Sequence, residues 1–195
     1  MVRKLDDGKR EKLLSSALRL FAANGPQSTS TAAIAQEAGT AAGTLFLYFP
    51  TKQELTDELA LKISREQADF IKALLKPGLS ARDMFRVIWN GSLQWFQQNR
   101  DAYRFVQQLR YSRLISETII QETQKHLGYY FQAIQKGLEE QSIQPYALEL
   151  IGEMLYQQIV AAMNLVDAQT DPALREQYTT QGFDIFWNGI KKEEE

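Results

Sequence analysis

The stretch Ser30–Lys52, STAAIAQEAGTAAGTLFLYFPTK, decides how this chain is read. Ser30 is a candidate N-cap for a short helix through Ala38, in which Ile34 and Ala35 supply the buried side. Gly39 ends that segment, and a second short helix runs from about Ala41 to Phe49 before Pro50 closes it. Two brief helices separated by a turn containing one glycine make a helix-turn-helix pattern. Upstream, Leu13, Leu14, Ala17, Leu18, Leu20 and Phe21 form one stripe at helical spacing, which Asn24-Gly25-Pro26 stops. Downstream, Thr51-Lys52-Gln53-Glu54 has the form of a capping box, in which Thr51 satisfies a free backbone N–H and Glu54 reaches back to the cap. A long helix is expected to start there and run to Pro77-Gly78, spanning roughly 37 Å at 1.5 Å per residue.

The remainder continues the helical pattern. Ser80 caps a segment with a wide apolar face (Phe85, Ile88, Trp89, Trp95, Phe96), and Asp101 caps a shorter one carrying Tyr103, Phe105 and Leu109. Ser116 opens a longer helix that is expected to run unbroken through Leu138. Pro145 is expected in the first turn of a helix carrying Leu148, Ile151, Leu155, Ile159 and Met163, and Asp171-Pro172 opens the last one. No segment alternates with period two for long enough to be a strand, so the fold class is all-α.

The 195 residues are 44% hydrophobic and 24% charged, the balance of a folded chain. There is no cysteine, and His126 is the only histidine. Disulfides, thiolate zinc sites and thiol nucleophiles are therefore excluded, and a Ser-His-Asp or multi-histidine metal site would have a single imidazole to work with. No catalytic residue, metal ligand or cofactor is nominated. No run of 18 apolar residues and no cleavable leader is visible, so a membrane partner is not expected and the expected address is cytoplasmic. The net charge of −2 hides an asymmetry. Up to residue 53, Arg3, Lys4, Lys9, Arg10, Lys12, Arg19 and Lys52 outnumber Asp6, Asp7, Glu11 and Glu37 by three, and the rest of the chain is acidic. A basic first quarter on an acidic remainder is the expected footprint of a nucleic-acid-binding segment.

With these residues in view, the N-terminal part resembles the DNA-binding segment of the TetR family of bacterial transcriptional regulators. The Leu18–Gly25 helix end, Ile34-Ala35, Ala38-Gly39, Gly43-Thr44-Leu45, Tyr48-Phe49 and Lys52 before Leu55 stand in the family's order and spacing. The resemblance implies a three-helix DNA-binding domain over residues 1–53 and a larger helical effector-binding and dimerisation domain over 54–195. It also implies a homodimer on a palindromic double-stranded operator, most simply a repressor released by a small apolar or aromatic ligand. An activator, or a regulator controlled by a protein partner, is the alternative.

The physical reading of the DNA-binding residues runs alongside. A helix entering the major groove needs small residues at its leading end so that its backbone can approach, with polar groups to reach base edges and phosphates. Thr40, Ala41, Ala42, Gly43 and Thr44 form that leading end, preceded by the Ser30 cap. Tyr48 and Lys52 stand where flanking phosphates would be. Family members often carry serine at Ala41, a polar or basic residue at Ala42 and tyrosine at Phe46. Readout is therefore expected to lean on Thr40, Thr44, Tyr48, DNA shape, and thymine-methyl contact from Ala42 or Leu47. Alternatives stay open for single residues: Thr44 as an intrahelical hydroxyl, Tyr48 as packing, Lys52 as a solvated lysine. Arg3, Lys4, Lys9 and Arg10 form either an arm reaching DNA or a solvated tail.

Beyond residue 55 aromatics are abundant on several helices. Most fill a core, but Trp89, Tyr103, Gln107, Tyr111, His126 and Tyr130 are candidates for the apolar wall and polar groups of a ligand pocket. The last two helices carry broad apolar faces, and Leu148, Ile151, Leu155, Ile159, Phe183 and Trp187 are candidates for a two-fold four-helix interface of the kind the family uses.

Overall fold

The computed structural model describes residues 6–112 and 116–193, without the side chains of 111 and 112. Among these residues ten helices follow one another: α1 (Asp7–Asn24), α2 (Thr31–Glu37), α3 (Ala42–Tyr48), α4 (Lys52–Leu74), α5 (Ala81–Gln98), α6 (Arg100–Ser112), α7 (Glu117–His126), α8 (Gly128–Glu139), α9 (Leu148–Asp167) and α10 (Pro172–Ile190). The only extended pairing described is an isolated bridge between Ile143 and Lys191. No described helix is long and apolar enough to cross a membrane. The chain forms two compact units that interleave in sequence, one from Met1–Arg65 with Asn99–Gln124 and one from Glu66–Gln98 with Lys125–Glu195.

In the first unit the apolar stripe of α1 is buried as its spacing requires. Leu13, Leu14, Ala17 and Phe21 join Ile34, Leu45, Phe49, Leu55 and Leu59 in one core, all but closed to solvent. The Asp6 carboxylate caps α1 by accepting from the N–H groups of Gly8 and Lys9. Helix α6 returns to pack on α1, where the rings of Phe21 and Phe105 stack at 5.7 Å. Gln108 Nε2 donates to the Ala22 carbonyl at 3.2 Å. Arg10 pairs with Glu58 at 2.6 Å and lies over the Phe49 ring, and Lys62 pairs with Glu11. These half-exposed pairs fix the α1–α4 register more than they stabilise, at about 0–1 kcal/mol each.

The second unit is built around Trp89, which is fully buried on α5. Its Nε1 donates to the Thr179 carbonyl at 2.9 Å, and Phe183 meets its ring edge-on. Gly182 lets α10 come this close, because a Cβ there would sit 2.7 Å from the indole. Phe85 extends the cluster to Phe186, Trp187 and Tyr130. Helices α8, α9 and α10 all pack on α5, and α9 lies along α10.

Five expectations change. Asp101 lies inside the first turn of α6 and does not cap it, because the helix begins at Arg100. The helix expected from Ser116 to Leu138 is two, because Leu127 leaves helical geometry (φ −84, ψ 15) just before Gly128, a poor helix former. Lys125 then falls in the last turn of α7, where positive charge suits the helix dipole, and His126 is its last residue. Pro145 lies ahead of α9 instead of inside its first turn. Ile143 pairs with Lys191 and Gln144 N–H donates to the Ile190 carbonyl, which holds the residues before the proline extended, as proline favours. Thr51 caps α4 as expected, accepting from the Glu54 N–H at 3.0 Å, but the Glu54 carboxylate accepts from the Thr51 hydroxyl and not from the cap N–H. Lys9 and Arg10 belong to α1 and form neither an arm nor a tail; Arg3 and Lys4 lie outside the described residues.

Candidate nucleic-acid interface

The two-helix element assembles from local signals. Ser30 caps α2 through a 3.1 Å bond accepted from the Ala33 N–H. At the other end Gly39 takes φ +67, the Gly39 N–H donates to Gln36, and the Thr40 N–H reaches back to the Ala35 carbonyl at 2.9 Å. That six-to-one closure with a left-handed glycine is a Schellman turn, and it sets the direction in which α3 departs. Ala41 then starts α3 with no side-chain cap.

Helix α3 buries Leu45, and Phe49 just past its end follows it into the core. The opposite face is open. Ala41, Ala42 and Gly43 are exposed, Thr40 and Thr44 are half-buried, Phe46 is 45% exposed and Leu47 is 68% exposed. Gly43 and Leu47, four residues apart, share the outward centre of the helix. The backbone of Gly43 does not need glycine, since its φ is not positive and a Cβ would meet nothing within 4 Å. The thin spot it creates matters only to something that approaches from outside. The Thr44 hydroxyl enters no hydrogen bond among the described residues, so it is not held by its own helix.

Tyr48 and Lys52 flank this face and are anchored. The Tyr48 hydroxyl accepts from the Asp6 N–H at 3.1 Å, which leaves its own proton free to donate outward. Lys52 Nζ donates to the Gln27 carbonyl at 3.1 Å, using one of three N–H groups. Eight of the nine sequence-derived positions thus fall on α2, α3 or the turns beside them, and the ninth, Lys52, opens α4. Phe46 is the one sequence reading passed over; it had been noted only as a departure from tyrosine, although it flanks Leu47 in a run whose buried positions are Leu45 and Phe49.

The other two sets fare differently. Of the proposed ligand residues, Tyr103 and Gln107 lie in the first unit and Trp89, His126 and Tyr130 in the second; the Tyr111 side chain lies outside the described residues. Trp89 faces packed interior, with its only N–H already used. Tyr130 donates to the Leu148 carbonyl at 3.2 Å. Burial pushes the Tyr129 phenol up to about 12 and raises that of Tyr130 further, with Glu149 adding to the rise, so both stay neutral. The open grooves of the second unit use other side chains: one of about 300 Å³ is lined by Arg86, Asn90, Gln94, Glu176 and Thr179, and one of about 770 Å³ by Arg82, Glu140, Ser142, Lys191 and Lys192.

Of the proposed dimer residues, Ile151, Leu155, Ile159, Phe183 and Trp187 are buried inside the single chain, and only Leu148 is exposed. Their apolar surface is already consumed by the protomer's own core. The apolar positions left open are Leu150, Met154 and Leu165 along one stripe of α9, and Leu174 and Ile185 along one stripe of α10, with Ile185 66% exposed.

Comparison with known proteins places this geometry. The family model described as bacterial regulatory proteins, tetR family, matches residues 13–59, from within α1 to within α4. The chain is 29% identical over 91 residues to the HTH-type transcriptional regulator LuxR of Vibrio harveyi, covering 47% of this chain and 44% of that protein. It is 36% identical over 72 residues to the uncharacterised HTH-type regulator YvdT of Bacillus subtilis, covering 37% of each. The chain thus spans less than half the length of these curated relatives. A crystal structure from Shewanella sp. PV-4, assigned to the tetR family of transcription regulators, superposes with a TM-score of 0.88 at 28% identity over 95% of this chain and 99% of that one.

Proposed function

We propose that this chain, which belongs to the TetR family of bacterial regulatory proteins, is a cytoplasmic homodimeric transcriptional repressor. It seats α3 in the major groove of each half of a palindromic operator, and a small apolar or aromatic ligand releases it. The observation that carries the reading is the outward face of α3, where Ala41, Ala42 and Gly43 lie open between the anchored Tyr48 and the Schellman turn at Gly39. A helix meant only to pack gains nothing from an unburied glycine in a stripe of small residues on its solvent side. The exposed stripes of α9 and α10 support the twofold, which would present two such helices to inverted half-sites.

Release needs only a modest preference. A ligand that favours one arrangement of the two DNA-reading heads by ~3 kcal/mol changes operator affinity roughly 150-fold. Tyr103, Gln107, Tyr111, His126 and Tyr130 remain the proposed contacts. Trp89 is a structural residue in this account.

Two substitutions separate binding from folding. Gly43→Ala is expected to raise stability by about 0.5–1 kcal/mol, because alanine is the better helix former, while weakening operator binding, because a methyl then stands where the backbone must approach. Thermal unfolding and fluorescence-anisotropy titration on the same preparation check the opposed signs. Lys52→Ala is expected to weaken binding about equally for every duplex and to reduce the slope of log K against log[salt] by about 1. An unchanged low-salt affinity would remove Lys52 from the phosphate contacts. The proposal as a whole is tested by titrating the protein against duplexes from the DNA upstream of its own coding sequence. Saturable binding to one fragment, reversed by an apolar ligand, is the expected result.

A further inference from the structure

We infer that α3 reads its half-site chiefly through the 5-methyl groups of thymine, with Leu47 and Phe46 as the specificity-determining side chains; the inference rests on the proposed DNA-binding function. From Ala38 to Phe49 the sequence AGTAAGTLFLYF contains no Arg, Lys, Asn, Gln, Asp or Glu. The side chains that pair bidentately with guanine or adenine, or that accept from cytosine, are therefore missing from the one helix that faces the groove. The polar groups that remain are the hydroxyls of Thr40, Thr44 and Tyr48, and the last is tied to the Asp6 N–H.

What the helix does offer is apolar and exposed. The other leucine, isoleucine and phenylalanine side chains of α1, α2 and α3 are covered, Leu13, Leu14, Phe21, Ile34 and Leu45 almost completely and Leu18 and Leu20 in part, yet Phe46 is 45% and Leu47 68% exposed. Leu47 stands one turn beyond Gly43 on the same face, and the open space at Gly43 lets the backbone sink far enough for Leu47 to reach the groove floor. In the major groove only thymine presents a methyl group. Guanine, adenine and cytosine would turn hydrogen-bonding edges toward these side chains, losing water without a partner in return. The same pair therefore attracts A·T steps of one orientation and repels the rest.

The test starts by enriching bound duplexes from a random pool with the full chain. Each thymine of the best duplex is then replaced by uracil, which removes the methyl and nothing else. At one or two positions per half-site, uracil is expected to weaken binding about fourfold, the worth of one buried methyl-sized group. Leu47→Ala or Phe46→Ala should bind the thymine and uracil duplexes equally at the position each side chain covers. Both residues are exposed, so unchanged melting and helicity establish that the variants fold. Tight binding with every uracil duplex within twofold overturns this inference and leaves the proposed function standing. Failure to enrich any duplex overturns that function and the inference with it. Variants that keep uracil sensitivity, or that change oligomeric state instead, overturn the assignment of these two side chains.

Discussion

Ile185→Glu is expected to leave the protomer folded and to abolish its self-association. Sedimentation should give a monomer, and operator affinity should fall at least a hundredfold. Ile185 is 66% exposed on α10, in line with Leu174 on the same helix and accompanied by Leu150, Met154 and Leu165 on α9. A charge at such a position costs the isolated chain little, because it remains in water. Buried between two copies it would be an unpaired carboxylate, with a desolvation penalty of several kcal/mol at each of two symmetry-related sites. The effect on DNA binding follows from avidity, since a linked second head raises affinity by about 10²–10⁴ without any new contact. A variant that stays dimeric moves the interface elsewhere.

Trp89→Ala is expected to cost about 3–5 kcal/mol of stability, lowering Tm by about 6–20 °C in a chain of this size. The indole is fully enclosed, donates to the Thr179 carbonyl and fits against Gly182, so truncation leaves a cavity that a helix pinned at close range cannot collapse. Trp89→Phe should recover most of the loss, missing the hydrogen bond and part of the volume. The experiment also decides the residue's role. A tryptophan lining a ligand pocket faces empty or wet space, and its removal would change ligand affinity at little cost in melting temperature.

The contrast between these two residues shows where sequence reading works. The element from Ser30 to Thr51 was legible because each of its boundaries is fixed within a few residues: a serine cap, a left-handed glycine, a proline stop and a threonine cap. The buried positions Phe21 and Ile34 followed from helical spacing. The break between α7 and α8 and the extended residues before Pro145 were not legible. The first turns on the geometry of Leu127 next to one glycine, and the second on pairing with Lys191 at the far end of α10.

The dimer and ligand residues were less legible for a related reason. A stripe of leucines and isoleucines reads the same whether it meets its own core or a second copy, and Ile151, Leu155 and Ile159 proved to meet their own core. The exposed stripe, Leu150, Met154 and Leu165, lies beside it on the same helix and is distinguishable only once α5 and α10 are in place. At Trp89 aromatic surplus likewise does not separate a pocket wall from packed core, where its indole lies. The return of α6 onto α1, with Phe105 stacked on Phe21, likewise joins segments far apart in sequence, so the compact units do not follow a single cut in the chain.

The central claim is that the chain binds DNA through α2 and α3 as a twofold pair, and its most direct test is the salt dependence of binding to an enriched duplex. Raising salt from about 50 to 200 mM is predicted to weaken binding about a hundredfold or more, with a linear fall of log K against log[salt], as release of counterions from several phosphates requires. Binding that is absent for every duplex, or that is unchanged across this range, would contradict the account.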